Sequence, residues 1–301
     1  MEKLAPFLVL FAAVLWGTTG TTQTFAPETA HPIAIGATRL AVGGLFLVII
    51  VLLTGKFNFT NWPIKTTLFA SLCMTLYQPL FFSAVSLTGV AIGTVVGIGS
   101  APILSGLIEW VFLKIRPSKV WWYSTHLSII GCLLIFSNRE GADVNYIGIL
   151  MALGAGLSFA SYTTISKNLL AHHSSLSVVA VVFTISALFL SPFLLASDMS
   201  WIMSMRGVGV SLHLGIVATG IAYLFFAKGL LHVSSSTAVT LTLAEPLTAA
   251  LLGVLVVGET LNVSSIAGIF LLLVGIGLLI WSSQSSNSRE PLNDEQTKKA
   301  G

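Results

Sequence analysis

Thr75-Leu76-Tyr77-Gln78-Pro79-Leu80-Phe81-Phe82 returns 144 positions later as Thr219-Gly220-Ile221-Ala222-Tyr223-Leu224-Phe225-Phe226, with the threonine and the Leu-Phe-Phe tail in register. The match runs outward in both directions. Leu68 falls on Leu212, Leu87 on Leu231, Val95 on Val239, Pro102 on Pro246, Leu107 on Leu251, Gly131 on Gly275 and Leu134 on Leu278. Near the start the offset is closer to 143, where Trp16-Gly17 meets Phe159-Ala160. Leucine matches come easily in an apolar chain. A shared proline, a Phe pair and a glycine held in register over some fifty residues do not, so the chain is read as an internal repeat.

Composition says what the repeat is made for. The 301 residues include 14 Lys and Arg and 11 Asp and Glu, or 8% charged, with 55% hydrophobic residues and a mean hydropathy of +0.93. Soluble domains carry roughly 25% charged residues, and six of the charges here fall in the last twenty positions. The remainder cannot solvate a water-facing surface, so soluble domains are excluded. A net charge of +3 with no basic face excludes nucleic-acid binding. Cys73 and Cys132 sit in apolar runs and suggest neither a disulfide framework nor a thiolate metal site.

A hydrocarbon core of about 30 Å needs roughly 20 apolar residues per crossing helix. Ten stretches qualify, near 6–24, 33–53, 65–86, 90–113, 119–136, 146–165, 176–196, 208–228, 236–257 and 264–281. Strand-type alternation is absent. The first stretch has no small-residue cleavage site followed by a soluble domain, and reads as an uncleaved span. The fold class expected is an all-α membrane protein with ten transmembrane helices in two five-helix repeats, 1–140 and 141–281. Residues 282–301 form a solvated tail.

Lys3, Lys56, Lys65, Lys114, Arg116, Lys119, Lys167, Lys228, Arg289, Lys298 and Lys299 fall on one side, and only Arg39, Arg139 and Arg206 on the other. Basic loops stay cytoplasmic, which places both termini inside. Five spans per half is an odd number, so the halves enter the membrane from opposite sides. Transporters of this inverted-repeat build hold substrate near the midplane between halves. An old duplication retained only for stability is the competing explanation.

Polar groups inside a span are costly and point to function. Glu245 lies about ten residues into the ninth span, near the midplane, just before Pro246. That proline removes a backbone bond to the carbonyl of Thr242, as Pro102 does for Ile98 and Pro79 for Thr75. Gln78, also at mid-depth, both donates and accepts, which suits a polar organic substrate or an inter-helix bond. Arg39 lies roughly 9 Å inside the outer end of the second span, placed either to clamp a carboxylate or to snorkel to the headgroups. Glu109 and Lys228 lie within about a turn of the inner ends, where snorkelling accounts for them. The run Trp16-Gly17-Thr18-Thr19-Gly20-Thr21-Thr22-Gln23-Thr24 and its counterpart Ser158-Phe159-Ala160-Ser161-Tyr162-Thr163-Thr164 are dense in hydroxyls. They line a cavity or pack helices through small residues. The candidate substrate-binding set is Trp16, Thr19, Gln23, Arg39, Tyr77, Gln78, Phe81, Tyr162, Tyr223 and Glu245.

His126 and His213 are lone intramembrane histidines, open to a proton-relay or a packing role. No metal site or cofactor is expected. Phosphate-binding loops, dinucleotide glycine fingerprints and nucleophile elbows are absent from the sequence. Any driving energy would come from a gradient, with a proton as candidate coupling ion.

Together, these features resemble the EamA family of the drug/metabolite transporter superfamily across nearly the whole chain. The resemblance rests on the two five-span repeats and on Trp16-Gly17. It rests also on Tyr77-Gln-Pro-Leu-Phe-Phe leading into Gly89-Val-Ala, and on Ala244-Glu245-Pro246 followed by Gly258-Glu259. The last pair is similar to the family's Glu-Pro…Gly-Glu signature. In the first repeat that signature is eroded, with Ala101-Pro102 in place of Glu-Pro and Ile115 where the second Glu would stand. The resemblance implies a carrier of the bacterial inner membrane, often an exporter of amino acids or related metabolites. It further implies a cavity lined by the first four spans of each half. Glu259 at a helix start is read as structural, because a carboxylate there favours the helix dipole. The expected function is alternating-access transport of a small molecule. The alternatives are a nucleotide-sugar or sugar-phosphate exchanger, which would need convergent cations, and a non-transporting scaffold.

Overall fold

The computed structural model describes residues 2–55, 62–136, 145–258 and 262–287. Lys56, Arg139, Glu259, Arg289, Lys298, Lys299 and the tail beyond residue 287, all used in the sequence reading, lie outside the described residues. Among the described residues the chain is helical and contains no strand. In the hydrocarbon core only helices and closed barrels satisfy every backbone donor and acceptor.

Among the described residues, nine helices are long and apolar enough to cross a membrane. These are α1 (Ala5–Gln23), α2 (Ile33–Thr54), α3 (Ile64–Gly89), α4 (Ile92–Phe112), then α6 (Tyr146–Leu170), α7 (Ser175–Ala196), α8 (Met205–Leu230), α9 (Ser235–Val256) and α10 (Val263–Gln284). Between α4 and α6 stands α5 (Lys119–Phe136), an 18-residue helix whose first half, Lys119 to His126, is the most polar opening of any of them. The last helix continues to Asn287, five residues beyond the point where a solvated tail was expected to begin.

The connections are short and chemically defined. Gly89, at φ 82° and ψ 160°, breaks what is otherwise one 49-residue helical run into α3 and α4. That positive φ is open to glycine at little cost. Asn145, Ser174, Ser204 and Ser234 each accept a backbone N–H two or three residues into the helix that follows, satisfying donors the first turn leaves orphaned. Pro246 acts as the sequence implies. The helix breaks at Thr242-Leu243, and the Thr242 carbonyl accepts instead from the Glu245 N–H at 2.9 Å.

Packing repeats across the two halves. Helix α1 lies against α8 and α9, and α6 lies against α3 and α4. Helix α2 meets α8, and α5 meets α10. Small residues allow the close approaches: a Cβ at residue 17 would sit 2.5 Å from the Thr248 Cβ, and one at residue 156 would sit 2.8 Å from the Gly97 carbonyl oxygen. Without a hydrophobic driving force between helices in lipid, such backbone proximity carries much of the association. Outward faces carry exposed Leu, Ile and Phe, among them Leu53, Leu150, Leu195 and Phe270. The centre holds aromatic rings and hydroxyls.

Candidate functional site

At the centre, seven helices from both halves line a cavity. Trp16 of α1, Arg39 of α2, Tyr77 of α3 and Gly97, Ile98 and Ala101 of α4 come from the first half. Phe159 of α6, Tyr223 of α8 and Thr242 and Glu245 of α9 come from the second. Helix α7 supplies none of these, although the family resemblance implied a cavity lined by the first four helices of each half. It packs behind α2 and α8, where the Phe183 ring meets Tyr223 at a tilt, 4.5 Å between centroids.

The repeat shows in the lining itself. Ile98 and Ala101 contribute one wall from the first half, and their partners 144 positions on, Thr242 and Glu245, contribute a wall from the second. Trp16 and Phe159, matched at offset 143, both line the cavity and meet edge to face at 5.9 Å. The two walls are therefore related in sequence but not in chemistry. Where the second half presents a hydroxyl and a carboxylate, the first presents two apolar side chains.

A chain of rings spans the halves: Tyr77 to Phe159 at 5.7 Å, Phe159 to Trp16, and Trp16 to Tyr223 at 4.6 Å. The Trp16 indole Nε1 has no hydrogen-bond partner, so a buried donor is left free in a cavity-lining residue. Buried polar atoms ordinarily find a partner.

Arg39 is 8% exposed and does not snorkel. Its Nε donates to Thr219 Oγ1 at 3.0 Å and an Nη2 hydrogen donates to the Ala218 carbonyl at 3.2 Å. Those two contacts turn the guanidinium inward onto α8 and explain why the headgroup alternative loses. The Glu245 carboxylate, within electrostatic reach of Arg39, makes no hydrogen bond or ion pair among the described residues. The cavity thus carries one fixed cation and one acid among aromatic lining residues.

Of the ten candidate residues from the sequence, the lining brings together Trp16, Arg39, Tyr77, Tyr223 and Glu245. Phe81 and Tyr162 stand one layer back. Phe81 stacks on Tyr77 at 5.6 Å, and Tyr162 meets the edge of Tyr223 at 6.0 Å. Thr19 and Gln23 lie one and two turns beyond Trp16 toward the end of α1, outside the lining. Gln78 is 2% exposed, with its Oε1 unpartnered and turned toward Gly36 of α2. Sequence reasoning did not select Phe159, Thr242, Gly97, Ile98 or Ala101. The repeat register pointed to two of them, Phe159 as the partner of Trp16 and Ala101 as the partner of Glu245.

Glu109 also departs from the snorkelling expectation. It is 2% exposed, and its Oε1 accepts the Ser235 N–H at 2.6 Å, tying α4 to the first turn of α9. Lys167 of α6 donates to the Val233 carbonyl beside it. Lys228 is exposed and lies over the Phe225 ring at 5.9 Å. His213 Nε2 bonds Thr18 Oγ1 at 2.9 Å and His126 Nδ1 bonds the Trp122 carbonyl at 2.7 Å. Among the described residues no group of three or more His, Cys, Asp or Glu side chains comes together.

The sequence pattern of the EamA-like transporter family matches this chain twice, over residues 3–137 and 146–281. An uncharacterized transporter of Bacillus subtilis (strain 168), YwfM, is 51% identical over 268 residues, covering 89% of this chain and 90% of its own. The threonine/homoserine exporter RhtA of Escherichia coli (strain K12) is 28% identical over 301 residues, covering 95% of this chain and 92% of its own. The uncharacterized inner membrane transporter YicL of Salmonella typhimurium is 24% identical, covering 92% and 95%. A crystal structure superposes with a TM-score of 0.81 at 18% identity, covering 93% of this chain and 98% of that one, and shares the fold.

Proposed function

Because this chain belongs to the EamA-like transporter family, we propose that it is a secondary carrier that exports amino acids or related small zwitterionic metabolites across the bacterial cytoplasmic membrane. One observation carries the substrate class: the lining, drawn from both halves, brings together one guanidinium, Arg39, one carboxylate, Glu245, and aromatic side chains. A free α-amino acid has the complementary pair of charges and a small body between them. Arg39 presents a planar fork suited to a carboxylate, and Glu245 an acceptor for an ammonium. The exporter RhtA, named for threonine and homoserine, supports this reading over most of the chain.

Five helices per half place the halves in opposite orientation, with both termini cytoplasmic by the distribution of basic residues. Transport then consists of rocking the halves about the central site. A proton gradient is the proposed drive, with Glu245 as the group that exchanges the proton. A phosphorylated substrate fits less well, because Arg39 is the sole cation in the lining and two of its N–H groups are engaged with α8.

Counterflow in liposomes tests the proposal. Labelled threonine, a nucleotide sugar and a cationic dye are offered to the purified chain. Threonine is expected to accumulate and the other two are not. Accumulation of the nucleotide sugar alone would replace this reading with the exchanger.

A further inference from the structure

The residue that aims Arg39 is on the other half of the molecule. From His213 to Ile221, α8 is wound as a π-helix of nine residues, a form that occurs mostly as short bulges at functional sites. Thr219 lies in it, fully buried. Its hydroxyl donates to the Leu214 carbonyl, five residues back, at 2.8 Å. A threonine in an ordinary α-helix bonds three or four residues back, and the wider π turn brings the fifth into reach. With its proton committed to Leu214, the Thr219 oxygen has lone pairs left, and the Arg39 Nε–H takes one of them. Arginine donates only, so the direction of every bond in this chain is fixed.

The neighbouring Ala218 carbonyl receives the Nη2 hydrogen. Two of the five guanidinium N–H groups are thereby spent on consecutive residues of one helix. Three remain, two on Nη1 and one on Nη2, in a residue that lines the cavity. The helices are pressed together where this happens: a Cβ at residue 43 would lie 2.7 Å from Thr219 Cγ2 and 2.8 Å from the Gly215 carbonyl oxygen. The guanidinium therefore has little room to turn.

We infer that Thr219, held by the π-helical segment of α8, is a positioning residue that sets specificity for the carboxylate of the substrate by fixing the Arg39 guanidinium in the cavity. The inference rests on the reading of Arg39 as the carboxylate-binding group. Thr219 does not touch substrate. It removes the rotational freedom the arginine would otherwise lose on binding, and preorganisation of that kind appears in affinity.

The test uses the full chain in liposomes, with threonine and threoninamide, which lacks the carboxylate, as paired substrates. The native chain is expected to prefer threonine. Arg39→Gln should abolish that preference. Thr219→Val, nearly isosteric but without the hydroxyl, should raise the KM for threonine about tenfold, the scale of one hydrogen bond to a charged group. The maximal rate should change little, and the preference over threoninamide should fall. Thr219→Ser, which keeps both bonds, should restore the native KM. Thr219→Ala adds no bulk and serves where the valine variant fails to fold. If Arg39→Gln abolishes the preference while Thr219→Val and Thr219→Ala keep the native KM and preference, the role of Thr219 is overturned and the reading of Arg39 stands. If Arg39→Gln retains the preference, or the native chain shows none, the reading of Arg39 falls and the inference with it.

Discussion

Glu109 offers the most quantitative handle on how the halves separate. Its carboxylate is buried in α4 and accepts the Ser235 N–H at 2.6 Å, at the start of α9 in the other half. Under the proposed alternating access and orientation, opening the cavity toward the basic end parts α4 from α9 at this point. A hydrogen bond to a charged group contributes about 1.5–3 kcal/mol, and each tenfold in an equilibrium is about 1.4 kcal/mol. Loss of the contact should therefore raise the inward-open population by about 10- to 100-fold. Glu109→Gln keeps an acceptor oxygen and belongs at the lower end, Glu109→Ala at the upper. The assay is alkylation of Thr242→Cys, a cavity position two turns in from Ser235, by a membrane-impermeant maleimide in inside-out vesicles. The native thiols Cys73 and Cys132 are buried and give a low background. Faster labelling in the order Ala, Gln, Glu at position 109 is expected. Equal labelling in all three, with folded protein, would refute the reasoning.

Trp16→Ala removes the ring that bridges Phe159 and Tyr223, and uptake should shift toward larger amino acids, read as a rise in the tryptophan-to-threonine rate ratio. Trp16→Phe should shift it less. Gly43→Val drives a branched side chain into Thr219 and the Gly215 carbonyl, forcing α2 from α8. Overpacking of this kind costs typically about 1–3 kcal/mol, and thermal unfolding in detergent should show a lowered midpoint. Gln78→Met removes a buried, unpartnered amide oxygen outside the lining, and the KM for substrate should stay within about twofold of native, since apolar replacement of an unsatisfied group is nearly neutral.

The all-helical membrane fold was legible because it depends on a one-dimensional pattern, the length and apolar composition of successive runs. The register also held more than was drawn from it. Trp16 aligned with Phe159 and Ala101 with Glu245, and all four line the cavity. The fates of Arg39 and Glu109 were not legible. Each turned on a partner roughly 130 to 180 residues away, the Thr219 hydroxyl for one and the Ser235 N–H for the other, and hydropathy says nothing about partners. Gln78 shows the reverse failure. Its depth suited a site, but its position on α3 faces α2 at Gly36 rather than the cavity, and facing within a uniformly apolar helix leaves little trace in sequence. The π-helical segment of α8 was equally silent, since no residue in His213 to Ile221 is exclusive to that winding.

The most direct test of the central claim is whether substrate occupies this cavity. Ala101 lines the same cavity as Glu245, and alkylation of Ala101→Cys reports its occupancy. Threonine at saturating concentration is expected to slow the alkylation in the native Glu245 background and to give no protection in Glu245→Gln. Threonine counterflow that proceeds with no protection at residue 101 would place the transport path elsewhere and contradict the account.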